Sequence, residues 1–317
     1  MSGKTKIEWC DKTWNPVTGC TKISEGCRNC YAARMAKRLA GRCGYSATDP
    51  FKVTLHEDKL GYPKTIEKPS RIFVNSMGDL FHEGVPRSII DNVFLAMHKN
   101  NQHTYLILTK RAFRMWGYIS SFRKRDSGFY HRSDRETWGF SEWPLPNVWL
   151  GVTAENQEMA DERIPLLLET PAAVRFVSIE PMLGPVNLWR WLPDSPSETL
   201  DWVICGGETG PGARPMHPDW VRSLRDQCQA AEVPFFFKGW GDWTPEPDLV
   251  FNRRGVVTLD GEYIDSRSVG IIEALKDKSA ARVCKSGKKW SGRMLDGREW
   301  NEFPDVNPPF PPSRRGA

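Results

Sequence analysis

The sequence has 317 residues, 39% hydrophobic and 26% charged, with a net charge of +5 and eight cysteines. That length can bury a full-size core, as one large α/β domain or one domain plus an extension. No apolar run reaches the roughly 18 residues of a membrane span, and Met1-Ser-Gly-Lys-Thr-Lys6 lacks a signal-peptide core, so a cytoplasmic protein with mostly reduced thiols is expected, in which clustered cysteines read as metal ligands before disulfides.

A short first strand is expected near Lys6 to Trp9. The loop that follows holds Cys20, Cys27 and Cys30, with six and then two residues between them. A Cys-x2-Cys step lets two thiolates converge on one centre, and the upstream cysteine completes a tripod. Three thiolates suit a [4Fe-4S] cluster with one iron left open, or a zinc site that needs a fourth ligand. Buried or merely reactive thiols are the plainer option, but this loop is polar and contains Gly26, unlike an apolar helix or strand face. Tyr31 to Leu39 has helix-forming composition, with Gly41 to stop it. Residues 43–70 read as irregular, punctuated by Pro50, Gly61, Pro63 and Pro69.

Apolar runs then recur at Arg71 to Asn75, Thr104 to Thr109, Asn147 to Thr153, Val174 to Ile179, Trp202 to Cys205 and Pro234 to Lys238. Most are continuous in apolar residues, as strands buried on both faces are. Helix candidates alternate with them at Ser88 to Lys99, Ala112 to Phe122, Ala160 to Glu169 and Asp219 to Ala231. The order predicts an α/β fold with a parallel sheet and right-handed crossovers.

Each strand ends in a polar word: Asn75-Ser-Met-Gly-Asp79, Thr109-Lys-Arg111, Thr153-Ala-Glu-Asn156, Ser178-Ile-Glu-Pro181, Gly206-Gly-Glu-Thr-Gly210 and Lys238-Gly239. In parallel α/β sheets the site lies at the carboxyl ends of the strands, so these words are expected to line one mouth. A charged, aromatic insertion at 123–146 interrupts the series. The chain is divided into residues 1–241 and a C-terminal extension, 242–317. The extension has a hairpin around Asp260-Gly261 between Val256 and Tyr263, a short helix from Ser266 to Leu275, and a disordered tail from Pro308 to Arg315.

Basic residues cluster at Lys278, Arg282, Lys285, Lys288, Lys289 and Arg293, and again from Lys110 to Arg135. Such blocks can neutralise phosphates, or simply form a solvated surface.

Distinctive words surround the cysteine loop. Ile7-Glu-Trp-Cys10 and Thr13-Trp-Asn-Pro-Val-Thr-Gly19 precede it, and Tyr31-Ala-Ala-Arg-Met35 follows. Val74-Asn-Ser-Met-Gly-Asp-Leu-Phe81, Trp149-Leu-Gly-Val-Thr-Ala-Glu-Asn156, Gly206-Gly-Glu-Thr-Gly-Pro-Gly-Ala-Arg-Pro215 and Gly292-Arg-Met-Leu-Asp-Gly-Arg-Glu-Trp300 continue the pattern. With these words most of the chain resembles the phage Gp37/Gp68-like (DUF5131) family, a branch of the radical S-adenosylmethionine (radical SAM) superfamily. Two features depart from that superfamily: its usual spacing is three and then two residues, and an aromatic residue usually stands where Asn29 does, whereas here Tyr31 follows the third cysteine.

The resemblance implies a partial (β/α)6 barrel with a [4Fe-4S] cluster on Cys20, Cys27 and Cys30. It implies S-adenosylmethionine as a second cofactor, chelated to the open iron and cleaved to a 5′-deoxyadenosyl radical that abstracts a substrate hydrogen. Asn75, Ser76 and Asp79 fall where the superfamily binds the cofactor amino group. Thr153, Glu155 and Asn156 are candidates for its ribose and carboxylate, and Gly206 and Gly207 for a close backbone approach. Lys110, Glu180 and Glu208 are the catalytic candidates, with pairing of either glutamate to Lys110 or Lys238 as the alternative. Cys205 is either a hydrogen donor to a substrate radical or a buried strand cysteine. An electron donor such as flavodoxin or ferredoxin is implied. So is the host cytoplasm, if the protein is phage-encoded. The implied substrate is a modified nucleobase in phage DNA, such as a hypermodified thymidine, flipped out and stacked on Trp138, Trp143 or Trp240, with a free nucleoside, a peptide or RNA as the alternatives. Isomerase, transferase and lyase chemistry all stay open. The rival function is a zinc-containing nucleic-acid-binding protein in which Cys10 joins the other three cysteines.

Overall fold

The six apolar runs and one short leading strand form a single parallel sheet. Its strands are β1 (Lys12–Trp14), β2 (Arg71–Val74), β3 (Thr104–Thr109), β4 (Val148–Thr153), β5 (Val174–Ile179), β6 (Trp202–Gly206) and β7 (Phe235–Gly239). In this computed structural model the described residues are 5–125, 128–132, 137–140, 143–192, 199–245 and 254–305, without the side chains of 123–142. Spatial order follows chain order from β1 to β7, and every pairing is parallel. With no reversal of order, right-handed crossovers place all the helices on one face of the sheet. Among the described residues β1 and β7 do not pair, so the sheet is an open, partial barrel.

Strand alternation separates two cores. Tyr105, Ile107, Leu150, Val177, Val203 and Phe237 face the helices. Leu106, Trp149, Phe176, Trp202, Ile204 and Phe236 fill the other face together with Trp9 and Cys10. After the cysteine loop comes α1 (Tyr31–Arg38), and on the helical side pack α2 (Arg87–Lys99), α3 (Ala112–Ile119), α4 (Gln157–Leu168) and α5 (Pro218–Ala230). α2 buries Ile89, Ile90, Val93, Phe94 and Met97, the spacing of one helical stripe. The N-cap of α4 is Asn156, whose side chain accepts from the Met159 amide, and α5 opens on His217 and Pro218.

The first strand lies later than the sequence predicts. The Cys10 amide donates to the Ile7 carbonyl, which folds residues 7–10 into a turn and sends Trp9 into the inner core. Pairing with β2 begins only at Lys12, opposite Ile72.

The insertion carries a three-stranded antiparallel sheet at Arg123–Arg125, Gly128–Arg132 and Thr137–Phe140. After β7, a four-stranded antiparallel sheet is built from β8 (Trp243–Thr244), β9 (Arg254–Val257), β10 (Tyr263–Asp265) and β11 (Ala281–Lys285). β9 and β10 are the expected hairpin, and the short helix is α6 (Ile271–Lys276). The chain then returns to the parallel sheet. The Phe237 amide donates to the Trp300 carbonyl, the Glu302 amide donates to the Phe235 carbonyl, and Phe303 packs on Trp202 and Phe236. The expected disordered tail lies outside the described residues. No helix among the described residues is long and apolar enough to cross a membrane.

Candidate active site

Five of the six strand-end words meet at a cavity of about 260 Å³ on the carboxyl side of the sheet, and Lys238-Gly239 does not line it. Cys20, Cys27 and Cys30 line it, together with Asn75, Ser76, Asp79, Lys110, Thr153, Glu180, Gly207 and Glu208. Phe51, Phe73 and Leu108 supply apolar wall. The cysteine loop is delivered from β1 through Gly19, whose φ is +84° and whose site admits no side chain, because a Cβ would stand 2.0 Å from the Lys52 carbonyl oxygen. A Cβ on Gly207 would stand 2.2 Å from the Trp240 carbonyl oxygen, so two backbones touch at the cavity wall.

Glu155, Asn156 and Gly206 are not among the lining residues. Asn156 is committed to capping α4. Gly206 sits at a bulge between β6 and β7, close under the side chains of Lys238 and Glu180. Glu155 is fully buried behind the cysteine loop, 3.1 Å from the buried Arg163 guanidinium, and accepts a hydrogen bond from the Gly26 amide at 3.0 Å. Burial pushes its carboxyl upward, but Lys110, Ser24, Arg163 and Gly26 outweigh it and leave Glu155 below the usual carboxylate range.

Two further struts hold the same loop. Glu208 accepts from Asn29 at 3.0 Å and pairs with Arg214, which also reaches the carboxylate and the carbonyl of Glu25. Burial raises the Glu208 carboxyl, and the Arg214 and Asn29 hydrogen bonds more than reverse this. On the other side, Arg111 donates to Cys20 Sγ at 3.3 Å, Thr21 Oγ1 at 2.9 Å and Asp79 Oδ2 at 3.2 Å. Burial first, and then Asp79, push the Cys20 thiol up to about 11, with Arg111 opposing them.

Asp79 has little left to offer a ligand. Phe81 and Thr109 donate to one of its oxygens, Lys110 and Arg111 to the other. Glu180 is taken by Lys238. Burial pulls Lys238 down, but Glu180, then Glu8 and Cys10, raise it above the ordinary lysine value. The uncommitted donors lie elsewhere. The Lys110 ammonium makes no hydrogen bond or close ion pair among the described residues, although its charge reaches Glu155. Asn75 is 3% exposed, stands at φ +58°, and has a buried amide nitrogen without a partner.

Cys10 is not part of this cavity. It lies in the inner core beside Trp9 and lines a separate cavity with Thr5, Lys6, Ile7, Glu8, Asp11 and Lys12, and burial pushes its thiol up to about 12. Cys205 is fully buried on the helical side against Met182, as a strand cysteine. Among the described residues no three His, Cys, Asp or Glu side chains surround a common metal point. The chemistry of the donor set still fits an iron–sulfur cluster: three soft thiols of one loop line one cavity, and Cys30 occupies the N-cap position of α1.

A family described as "Protein of unknown function (DUF5131)" matches residues 4–304. The chain belongs to the DUF5131 family. Nothing among the curated proteins matches it. Among solved structures it is similar to spore photoproduct lyase complexed with dinucleoside spore photoproduct, at 9% identity and a TM-score of 0.37, over 87% of this chain and 73% of that one. It is also similar to a double mutant of that lyase with bound AdoMet and dinucleoside spore photoproduct, at 10% identity and a TM-score of 0.36, over the same shares.

In this DUF5131 chain the cavity is lined by the three cysteines and by eight of the eleven cofactor and catalytic candidates read from the sequence, namely Asn75, Ser76, Asp79, Lys110, Thr153, Glu180, Gly207 and Glu208, but not by Glu155, Asn156 or Gly206. Arg111 and Arg214 carry most of the loop's polar anchoring, and neither is among the site residues that the sequence suggests. Arg111 closes the strand-end word Thr109-Lys-Arg111, and Arg214 stands six residues after Glu208 in the longer word from Gly206 to Pro215. Trp143 stacks on Phe122 and Trp240 is buried, neither lines the cavity, and the side chain of Trp138 lies outside the described residues.

Proposed function

We propose that the protein is a radical SAM enzyme, with Cys20, Cys27 and Cys30 as ligands of a [4Fe-4S] cluster. The observation that carries this is the placement of all three cysteines of one short loop on the cavity where the strands of a parallel partial barrel end. Cluster and S-adenosylmethionine together would supply a 5′-deoxyadenosyl radical for hydrogen abstraction. The chain's part is to position and shield. Lys110 offers a cation for the cofactor carboxylate, and Asn75 and Thr153 offer polar groups for its amino end and ribose. Phe51, Phe73 and Leu108 keep water from the wall. Glu155 and Glu208 act as anchors of the cysteine loop. After anaerobic reconstitution, dithionite and S-adenosylmethionine should release 5′-deoxyadenosine, slowly even without substrate; chromatography showing none from protein with a full cluster rejects the proposal.

For the substrate we propose a nucleobase in DNA, on the family resemblance and one local feature. Tyr31 is 56% exposed and lines the cavity directly after Cys30, so an aromatic face is available at the mouth for stacking. The basic run supports this only in part. Lys285 donates to the Gly210 and Pro211 carbonyls, Lys288 pairs with Glu8, and Arg293 holds Asn301. Lys278, Arg282 and Lys289 are exposed. Replacing those three with alanine should flatten the log–log salt dependence of DNA binding by about 2 to 3, from roughly 0.7–0.9 per phosphate contact. Equal slopes for wild type and mutant would leave DNA without electrostatic support from this surface.

A further inference from the structure

One of the three cavity cysteines differs from the other two. Among the described residues, Cys20 alone receives a hydrogen bond from a charged donor, the Arg111 guanidinium at 3.3 Å. The nearest polar contact of Cys27 is the neutral Ser24 hydroxyl at 3.8 Å. The Arg111 side chain is 4% exposed, so its field is little screened by water. Its orientation is fixed from both ends: Nε donates to both carboxylate oxygens of Glu83, at 3.0 and 2.8 Å, and Nη1 also reaches Asp79. The Glu83 side chain is 66% exposed.

A hydrogen bond to a ligand sulfur, and the charge near it, are two of the means by which a protein sets the potential of an iron–sulfur cluster. Uptake of one electron adds one negative charge to the cluster and its thiolates. A cation donating to one of those sulfurs stabilises that reduced form more than the oxidised one, and an acidic partner on the same cation weakens the effect.

We propose that Arg111 is a positioning residue that raises the reduction potential of the cluster through Cys20, and that Glu83 is the counter-charge that limits the rise. This rests on the cluster assignment made under Proposed function. The electron comes from an added low-potential reductant, and no bond is made or broken in the protein. Lysine cannot replace the arginine, because only the planar fork reaches sulfur, Thr21 and two carboxylates together.

The test uses full-length wild type, Arg111→Met and Glu83→Gln, each reconstituted anaerobically, assayed for iron and sulfide, and titrated with reductant by electron paramagnetic resonance. Arg111→Met should move the potential to more negative values, by on the order of a tenfold change in the reduction equilibrium, which is 59 mV for one electron. Glu83→Gln should move it the other way. A loaded Arg111→Met protein with an unchanged potential overturns the proposal. Should Arg111→Met fail to hold iron, Glu83→Gln decides, since an exposed carboxylate can be neutralised without disturbing the fold, and an unmoved potential there also overturns it. Wild type that takes up no iron overturns the cluster assignment as well, whereas full iron with unmoved potentials overturns only the role of Arg111.

Discussion

Alanine at Cys20, Cys27 or Cys30 is expected to take the reconstituted protein from about four irons per chain to below about one, as loss of one of three protein ligands implies for a cubane cluster. Cys10→Ala should leave the iron content unchanged. All three loop cysteines line one cavity, and each variant leaves only two thiols there. Cys10 lies in the inner core with Trp9, Trp149 and Trp202, and does not line that cavity. Exposed Cys43 serves as the control for a surface thiol. Iron and sulfide analysis with the visible absorption spectrum separates the outcomes. Iron loss in Cys10→Ala equal to that in the other three would argue for four-cysteine ligation and revive the zinc-type alternative.

The parallel sheet was legible because burial on both faces leaves continuous apolar runs, and the runs at 104–109, 147–153 and 174–179 became β3, β4 and β5 nearly residue for residue. β1 was not legible: three residues carry too short a pattern, and the turn at Cys10 displaced it from the more apolar Ile7-Glu-Trp9. Among the site residues, position was easier to read than role. Composition shows that Glu155, Glu208 and Asp79 end strands, but not that arginines and backbone amides would occupy their oxygens. The departures in the cysteine loop make sense beside those contacts. A six-residue gap between Cys20 and Cys27 orders more backbone than a shorter one, at an entropic cost. The structure ties that gap down at Thr21, Glu25 and Gly26 through Arg111, Arg214 and Glu155. Asn29 bridges Glu208 and the Gly212 carbonyl. The basic run shows the opposite limit: charge was plain in the sequence, but Lys285, Lys288 and Arg293 are spent on contacts within the protein.

Arg163→Met is expected to destabilise the fold by about 3–5 kcal/mol, the usual result of removing one partner of a buried ion pair. The Arg163 and Glu155 side chains are 1% and 0% exposed, and Nη1 of Arg163 also donates to the Thr153 carbonyl at 2.8 Å. Methionine fills most of the volume and leaves the Glu155 carboxylate buried with the Gly26 amide, the Ser24 side chain and the Lys110 charge. Glu155→Gln on its own removes the acid but strands the arginine, so it too should cost stability. Combining Glu155→Gln with Arg163→Met removes both charges while keeping an amide oxygen for Gly26, and should recover much of the loss. Urea midpoints of the four proteins at equal m-values measure this coupling. Strict additivity of the two single changes would show that Arg163 stabilises α4 independently of the carboxylate. Recovery in the double variant, with iron uptake restored in parallel, would tie the buried pair to the geometry of the cysteine loop, since Gly26 is the residue through which Glu155 touches it.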